Sequence, residues 1–465
     1  MKMKLSKCIA LVTILIFIWT VAPAKDKAAA VTPAQDHEKM TLSALGDLLL
    51  FQKVSVLKDS GFTALVDLIR NTDCTWANCE IPLIDPRKTY PEYRNGDIPC
   101  YAEPWTADEF KWMGIDLVGF ANNHTLDYGI IGLFSTLEQL YRVGIGYAGA
   151  GKDLEDAAKP RYIVSSGGTI GQVNCAGSFH PGTWASSAHP YMNGRPGLNP
   201  LRVDQICKID KQTFDTLKKS EDDILKYFGE DQRGDQEKKK EQKVVINEIT
   251  FVPGEKFDFS YVINEADLKR LTEAIKAARR NSRIVIASLH EHRGAKQSTM
   301  PAPFIETYAR ACIDAGADVF FNTGPHRPWG IEIYKNKPIF YSLGNFFFLL
   351  SGIQHSAEKL AEYGLDPFTL DSTLLEEKIA TNYFKDDFYW DSFVPIITFG
   401  KENEVLDIKL YPITLGKDQP LYKKGIPRLA DEKKSKAIID ELKKMSEPYK
   451  TKIDYSNSIG TVHIK

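Results

Sequence analysis

Five times in this chain a short apolar stretch with strand character ends directly in side chains able to bind or transfer charge. Residues 40–45 (MTLSAL) run into Gly46-Asp47, and Thr75-Trp76-Ala77 runs into Asn78-Cys79-Glu80. DLVGF (116–120) meets Ala121-Asn122-Asn123-His124, RIVIASL (283–289) meets His290-Glu291-His292, and DVFF (318–321) meets Asn322-Thr323-Gly324-Pro325-His326. Helical patterns separate these stretches, at 63–70, 107–113, 131–143, 265–280 behind Asn264 as N-cap, and 302–315 closed by Gly316. Two further strands, 330–334 and 338–342, flank a turn at Asn336. This alternation predicts a layered α/β fold. Ligands of open α/β sheets bind outside the carboxyl ends of the strands, so the five clusters should meet in one place.

Carboxylate, amide and imidazole groups brought together make a donor set for a hard-to-borderline divalent cation. Two such sites sharing one carboxylate activate a water molecule. Each cluster alone has a blander reading. A Gly-Asp pair is usually a turn, Asn78-Cys79-Glu80 passes for a strand end, His124 for a satisfied loop imidazole and His290 for a core one. The ordered recurrence at strand ends is what favours a site. No nucleophilic-serine motif or glycine-rich phosphate loop competes with it.

The same residues carry a family resemblance. Gly46-Asp47, Asn78-Cys79-Glu80, NNHTLDYG (122–129), SLHEHRG (288–294) and ADVFFNTGPHRPWGIEIYKNKPIFYSLGNF (317–346) occur in this order. Over residues 40–348, with a charged insertion left out, the chain resembles the CapA family of poly-γ-glutamate capsule synthesis proteins, part of the calcineurin-like metallophosphatase superfamily. The resemblance implies a four-layer α/β/β/α metallophosphatase-like sandwich with two divalent metal ions (Mn, Fe, Zn or Mg) at one edge. Carried over, Asp47 would ligate the first ion, Glu80 bridge both, Asn123 and His290 hold the second, and His326 return to the first. His124 would donate a proton to a leaving group, with Asp127 orienting it. Asn345 is read as a turn-fixing residue. Three departures stand out: Leu49 occupies the position of a superfamily histidine, Thr323 stands where many relatives have another, and Cys79 replaces a leucine. His292 is placed to compensate at Thr323.

Residues 1–24 read as a signal peptide, with Lys2, Lys4 and Lys7 ahead of the apolar run 9–21 and Ala22-Pro23-Ala24 at its end. Cleavage is favoured, and an uncleaved N-terminus would instead anchor the chain to a membrane. Residues 25–39 form a mobile leader, 40–420 the CapA-like metallophosphatase-fold domain, 206–248 the charged insertion, and 421–465 a peripheral C-terminal tail. Within the insertion 231–243 has no apolar residue and cannot bury surface. Cys74, Cys79, Cys100, Cys175, Cys207 and Cys312 are expected to be mostly buried thiols, with at most one or two bridges. With 59 Lys and Arg against 61 Asp and Glu, the net charge of −2 argues against nucleic-acid binding.

These observations point to an exported protein, in the periplasm, at the cell surface or outside. It would be a metal-dependent hydrolase or transferase using a metal-activated water on a phosphoester or amide. The resemblance implies a role in synthesis or export of poly-γ-glutamate or a related cell-envelope polymer, with that anionic polymer or its synthase complex as partner. The alternative is a non-catalytic exported scaffold for the polymer or its synthase, with a degenerate metal site.

Overall fold

Strands that are apolar on both faces need cover on both sides, and here sheets and helices supply it. The computed structural model describes residues 38–92, 99–229, 242–295, 299–350, 357–366, 368 and 384–464. The expected signal peptide, residues 25–37 of the leader and residues 230–241 of the charged segment lie outside them. The fold is mixed α/β. In a ten-stranded sheet Met40–Leu49 runs parallel to Cys74–Asn78, Cys74–Asn78 to Leu117–Gly119, and Leu117–Gly119 to Gly146–Ala148. Parallel neighbours require crossovers, and the helices Ser60–Arg70, Thr106–Trp112 and Gly129–Arg142 provide them. A six-stranded sheet repeats the arrangement with Gly168–Ala176, Ile284–His290, Val319–Thr323 and Lys337–Phe340 in parallel. Lys335 and Asn336, both at positive φ, make the tight turn before that last strand.

Side chains alternate across each strand, and the clusters follow that period. Met40, Leu42, Ala44, Trp76 and Leu117 of the first sheet share one core with Ile170, Ile284, Ile286, Val319 and Phe321 of the second. Trp76 and Phe321 stack there with ring centroids 5.0 Å apart. On the other face of the first sheet Leu45 and Leu48 pack with Phe62, Leu65 and Ile69 of the helix Ser60–Arg70. Val285, Ala287 and Leu289 pack against Leu271, Ile275, Ile305 and Tyr308 of the helices Glu265–Asn281 and Pro303–Asp314. Register then fixes the strand ends: Asp47 lies opposite Asn78, Asn78 opposite Gly119, and His290 opposite Thr323.

Spanning the charged segment and the residues that flank it, Val203–Ile209, Val244–Ile246, Ile249–Pro253 and Asp258–Ile263 form a separate four-stranded sheet. The helix Lys211–Phe228, capped by Asp210 accepting the Thr213 N–H at 3.0 Å, packs Phe214 with Cys207, Ile209 and Val244. The six cysteines expected to be mostly buried thiols are all buried, and none of them forms a disulfide. Among the described residues no helix is long and apolar enough to cross a membrane.

The C-terminal tail departs from the expectation that it is peripheral. The helix Glu432–Ser446 buries Ile438, Ile439 and Leu442, and Ile453 and Val462 of the last two strands enter the same core as Met40 and Ile286. The sequence marks an amphipathic helix near 433–445, but among Lys433, Lys436, Lys443 and Lys444 its apolar stripe is only a few residues wide and does not tell what it packs against. Leu442→Ala should therefore cost about 2–5 kcal/mol in urea denaturation. A change within about 0.5 kcal/mol, typical of a surface position, would put the helix outside the core.

Candidate metal centre

The carboxyl ends of both sets of parallel strands deliver their polar residues to one buried place. Asp47, fully buried, accepts from Asn78 Nδ2 at 2.8 Å on Oδ1 and from the Gly324 N–H at 3.2 Å on Oδ2. His326 Nδ1 lies 3.5 Å from Asp47 Oδ2, and His290 Nδ1 lies 4.0 Å from Asp47 Oδ1. Glu80, also fully buried, has His290 Nε2 at 3.5 Å and His326 Nε2 at 3.7 Å from its Oε1. Asn123 Oδ1 sits 2.9 Å from His290 Nε2. Asp47, Glu80 and His326 form one group of possible ligand atoms within 4.8 Å of one another, and Glu80, His290 and His292 form another. Glu80 belongs to both.

The electrostatics of the pair are uneven. Burial alone would raise the Asp47 carboxyl, but the hydrogen bond and charge of His326, with His290 and Asn78, bring it down to about 2. Burial, reinforced by the Asp47 carboxylate, pushes Glu80 well above the usual carboxylate range. Neither Glu80 oxygen has a hydrogen-bond partner. A buried carboxylate with no donor is expensive, and a cation beside these two oxygens would offset that cost. The surrounding O and N donors suit a divalent cation, and the residues present therefore fit one.

The imidazoles are held from behind. Asn345 Nδ2 donates to the carbonyls of His326 and Tyr389, both at 3.0 Å, which leaves its Oδ1 to accept from His326 Nδ1 at 2.8 Å. That assignment puts the His326 lone pair on Nε2, the atom facing Glu80. His326 itself takes a positive φ of 55°, between Pro325 and Arg327. His290 Nδ1 is contacted at 3.1 Å by both Asn78 Nδ2 and Thr323 Oγ1. Burial, with the neighbouring His292, lowers the His290 pKa well below its ordinary value, and burial with His326 brings His292 down to about 4. Both are neutral, the form that ligates. The His292 N–H donates to Ser178 Oγ at 2.9 Å, and Ser178 Oγ donates to Glu291, itself clasped by Arg293.

His124 stands at the edge of this cluster, partly exposed. Its Nδ1 is 2.7 Å from Asp127 Oδ2, and its N–H donates to Asn122 Oδ1 at 3.0 Å. Burial works against its charged form, but the Asp127 carboxylate outweighs that and raises the His124 pKa well above the ordinary imidazole value.

Comparison with known proteins follows the same residues. The family model of the bacterial capsule synthesis protein PGA_cap matches residues 41–349. This chain belongs to the CapA capsule synthesis family. The capsule biosynthesis protein CapA of Bacillus anthracis is 24% identical over 373 residues, 78% of this chain and 74% of its own length. The PGA biosynthesis protein CapA of Bacillus subtilis is 24% identical over 332 residues, 70% and 68% of the two chains. An uncharacterized protein of Sinorhizobium fredii, y4sH, is 30% identical over 436 residues, 91% of this chain and 93% of its own.

The CapA match spans every candidate residue from Asp47 to His326, and Asn345 as well. Asp47, Glu80, Asn123, His290, His292 and His326 come together, with His124 and Asp127 paired beside them. Leu49, where the superfamily histidine is missing, is buried in the apolar core. Thr323 bonds to His290 rather than replacing a ligand. From the sequence, two residues of the site have no role of their own in it. Asn78 enters only as part of the Asn78-Cys79-Glu80 cluster, and Asn345 reads as a turn former. Only the pairing of Asn345 with His326 across the last turn reveals its part.

Proposed function

We propose that this CapA-family protein is an exported accessory of poly-γ-glutamate or related anionic cell-envelope polymer synthesis, with a metal-dependent hydrolase or transferase site. The observation that carries the reading is Glu80, buried between two groups of ligand atoms with both oxygens unpartnered. The two sheets sharing one core, each packed on helices at its other face, support a four-layer α/β/β/α metallophosphatase-like sandwich. Asp47, Glu80 and His326 would hold one cation, and Glu80, Asn123, His290 and His292 a second. Divalent ions, when bound, lower the pKa of a coordinated water and polarise a phosphoryl or carbonyl oxygen. The chain's own residues do the rest. Asn78 and Thr323 orient His290, Asn345 orients His326, and His124, aligned by Asp127, delivers a proton to the departing oxygen or nitrogen.

Leu49 and Thr323 in place of histidines favour a second reading, a scaffold for the polymer or its synthase with a reduced metal site. Chelation distinguishes the two. Purified protein should hydrolyse phosphoester or γ-glutamyl test substrates, lose that activity with chelator and regain it with a divalent ion. Absence of any chelator-sensitive turnover, with polymer yield in cells still dependent on the protein, would favour the scaffold.

A further inference from the structure

Beside the ligand groups around Glu80, a third set of donor atoms converges. Cys100, His124 and Asp127 each present one atom, and the three lie within 4.8 Å of one another. Cys100 comes from one segment and His124 and Asp127 from a single turn, where the Asp127 N–H donates to the His124 carbonyl at 3.1 Å. The Cys100 segment is pinned through Ala102, whose N–H donates to the Pro82 carbonyl and whose carbonyl accepts from Ile84, both at 2.9 Å. The Cys100 N–H donates to Asp127 Oδ2 at 2.7 Å, and the Asp127 carbonyl accepts the Glu92 N–H at 2.7 Å. Tyr101 and Tyr128 meet edge to face at 5.3 Å alongside. The donors are thus arranged before any ligand arrives. Cys100 is 3% exposed, while His124 is partly exposed. Among the six described cysteines Cys100 alone joins such a donor group.

The donor chemistry separates this group from its neighbour. Around Glu80 the ligand atoms are oxygen and nitrogen only, a set that takes Mn, Fe, Zn or Mg and has no sulfur to prefer a thiophilic ion. A sulfur beside an imidazole and a carboxylate selects a thiophilic ion, and three protein ligands leave a fourth position open.

We propose that Cys100, His124 and Asp127 form a separate site for a thiophilic divalent cation of the zinc class, whose occupation switches off the adjacent centre. One side chain cannot deliver a proton to a leaving group and ligate an ion at the same time. Binding of the softer ion therefore removes His124 from the reaction that harder ions support. The inhibitory half of this inference rests on the function proposed above, and the site itself does not.

Cobalt(II) is the probe, because thiolate ligation gives an intense charge-transfer band in the near ultraviolet that oxygen and nitrogen ligands do not. Titrating the purified protein with cobalt should produce that band. Cys100→Ser should abolish it and lower bound cobalt by about one ion per chain. Glu80→Ala should keep the band while losing cobalt held at the neighbouring centre. Asp127→Asn, a milder change, should weaken cobalt binding at the band about 10–100-fold, which keeps the test decisive where Cys100→Ser fails to fold. No band in the parent protein, or a band undiminished in Cys100→Ser, overturns the site. A band that persists while Glu80→Ala leaves total cobalt unchanged upholds the site and counts against the proposed function instead.

Discussion

Gly46→Ala should destabilise this protein about as much as the loss of a core side chain and, unlike that loss, also empty its metal centre. A Cβ at position 46 would stand 1.8 Å from the Gly344 carbonyl oxygen and 2.7 Å from its carbon. Both obstacles are backbone, so no rotamer change relieves them. The strand Met40–Leu49 crosses the Gly344 turn here, with the Asp47 N–H donating to the Gly344 carbonyl at 3.0 Å and Asp47 in register with Asn345. Forcing the two apart displaces Asp47 from one side of the site and Asn345, hence His326, from the other. The expected cost is about 3–5 kcal/mol, at the upper end for overpacking a rigid position. Denaturant melts read the first effect and metal content of the surviving folded fraction reads the second. Parent-like stability would mean that the strand and the turn are not held together as described.

Much of this arrangement is legible in the sequence because it is local. Strand ends and helix periodicity place Asp47, Glu80, Asn123, His290 and His326 on one edge, and Asn264 marks a helix start that is realised, its side chain accepting the Asp267 N–H at 3.1 Å. What escapes is tertiary. Asn78 meets His290 across 212 positions of chain, a pairing that neither residue type announces. Asn345 has the composition of a turn residue, and its use in fixing an imidazole depends on the left-handed backbone at His326. Cys100 lies in no motif, and only the fold of its segment over Asp127 gives it partners. The C-terminal helix near 433–445 is legible as amphipathic, but its Lys-rich setting reads as peripheral, although Ile439 and Leu442 are fully buried.

The second large effect separates ligation from proton transfer. His124 faces Asp127 rather than Glu80 or Asp47, so His124→Ala should leave the bound metal in place and lower turnover by about 10²–10⁴-fold. Glu80→Ala removes the carboxylate common to the two ligand groups around it, so the metal of that centre and the activity should disappear together. The two variants then agree in lacking activity and differ in what they carry. The decisive measurement is metal content per folded chain, by elemental analysis of the parent, Glu80→Ala and His124→Ala proteins prepared side by side. After loading with manganese or magnesium, ions that a thiolate site disfavours, bound metal is expected in the parent and in His124→Ala and its loss from Glu80→Ala. Equal content of these ions in all three, or none in the parent, would contradict the account.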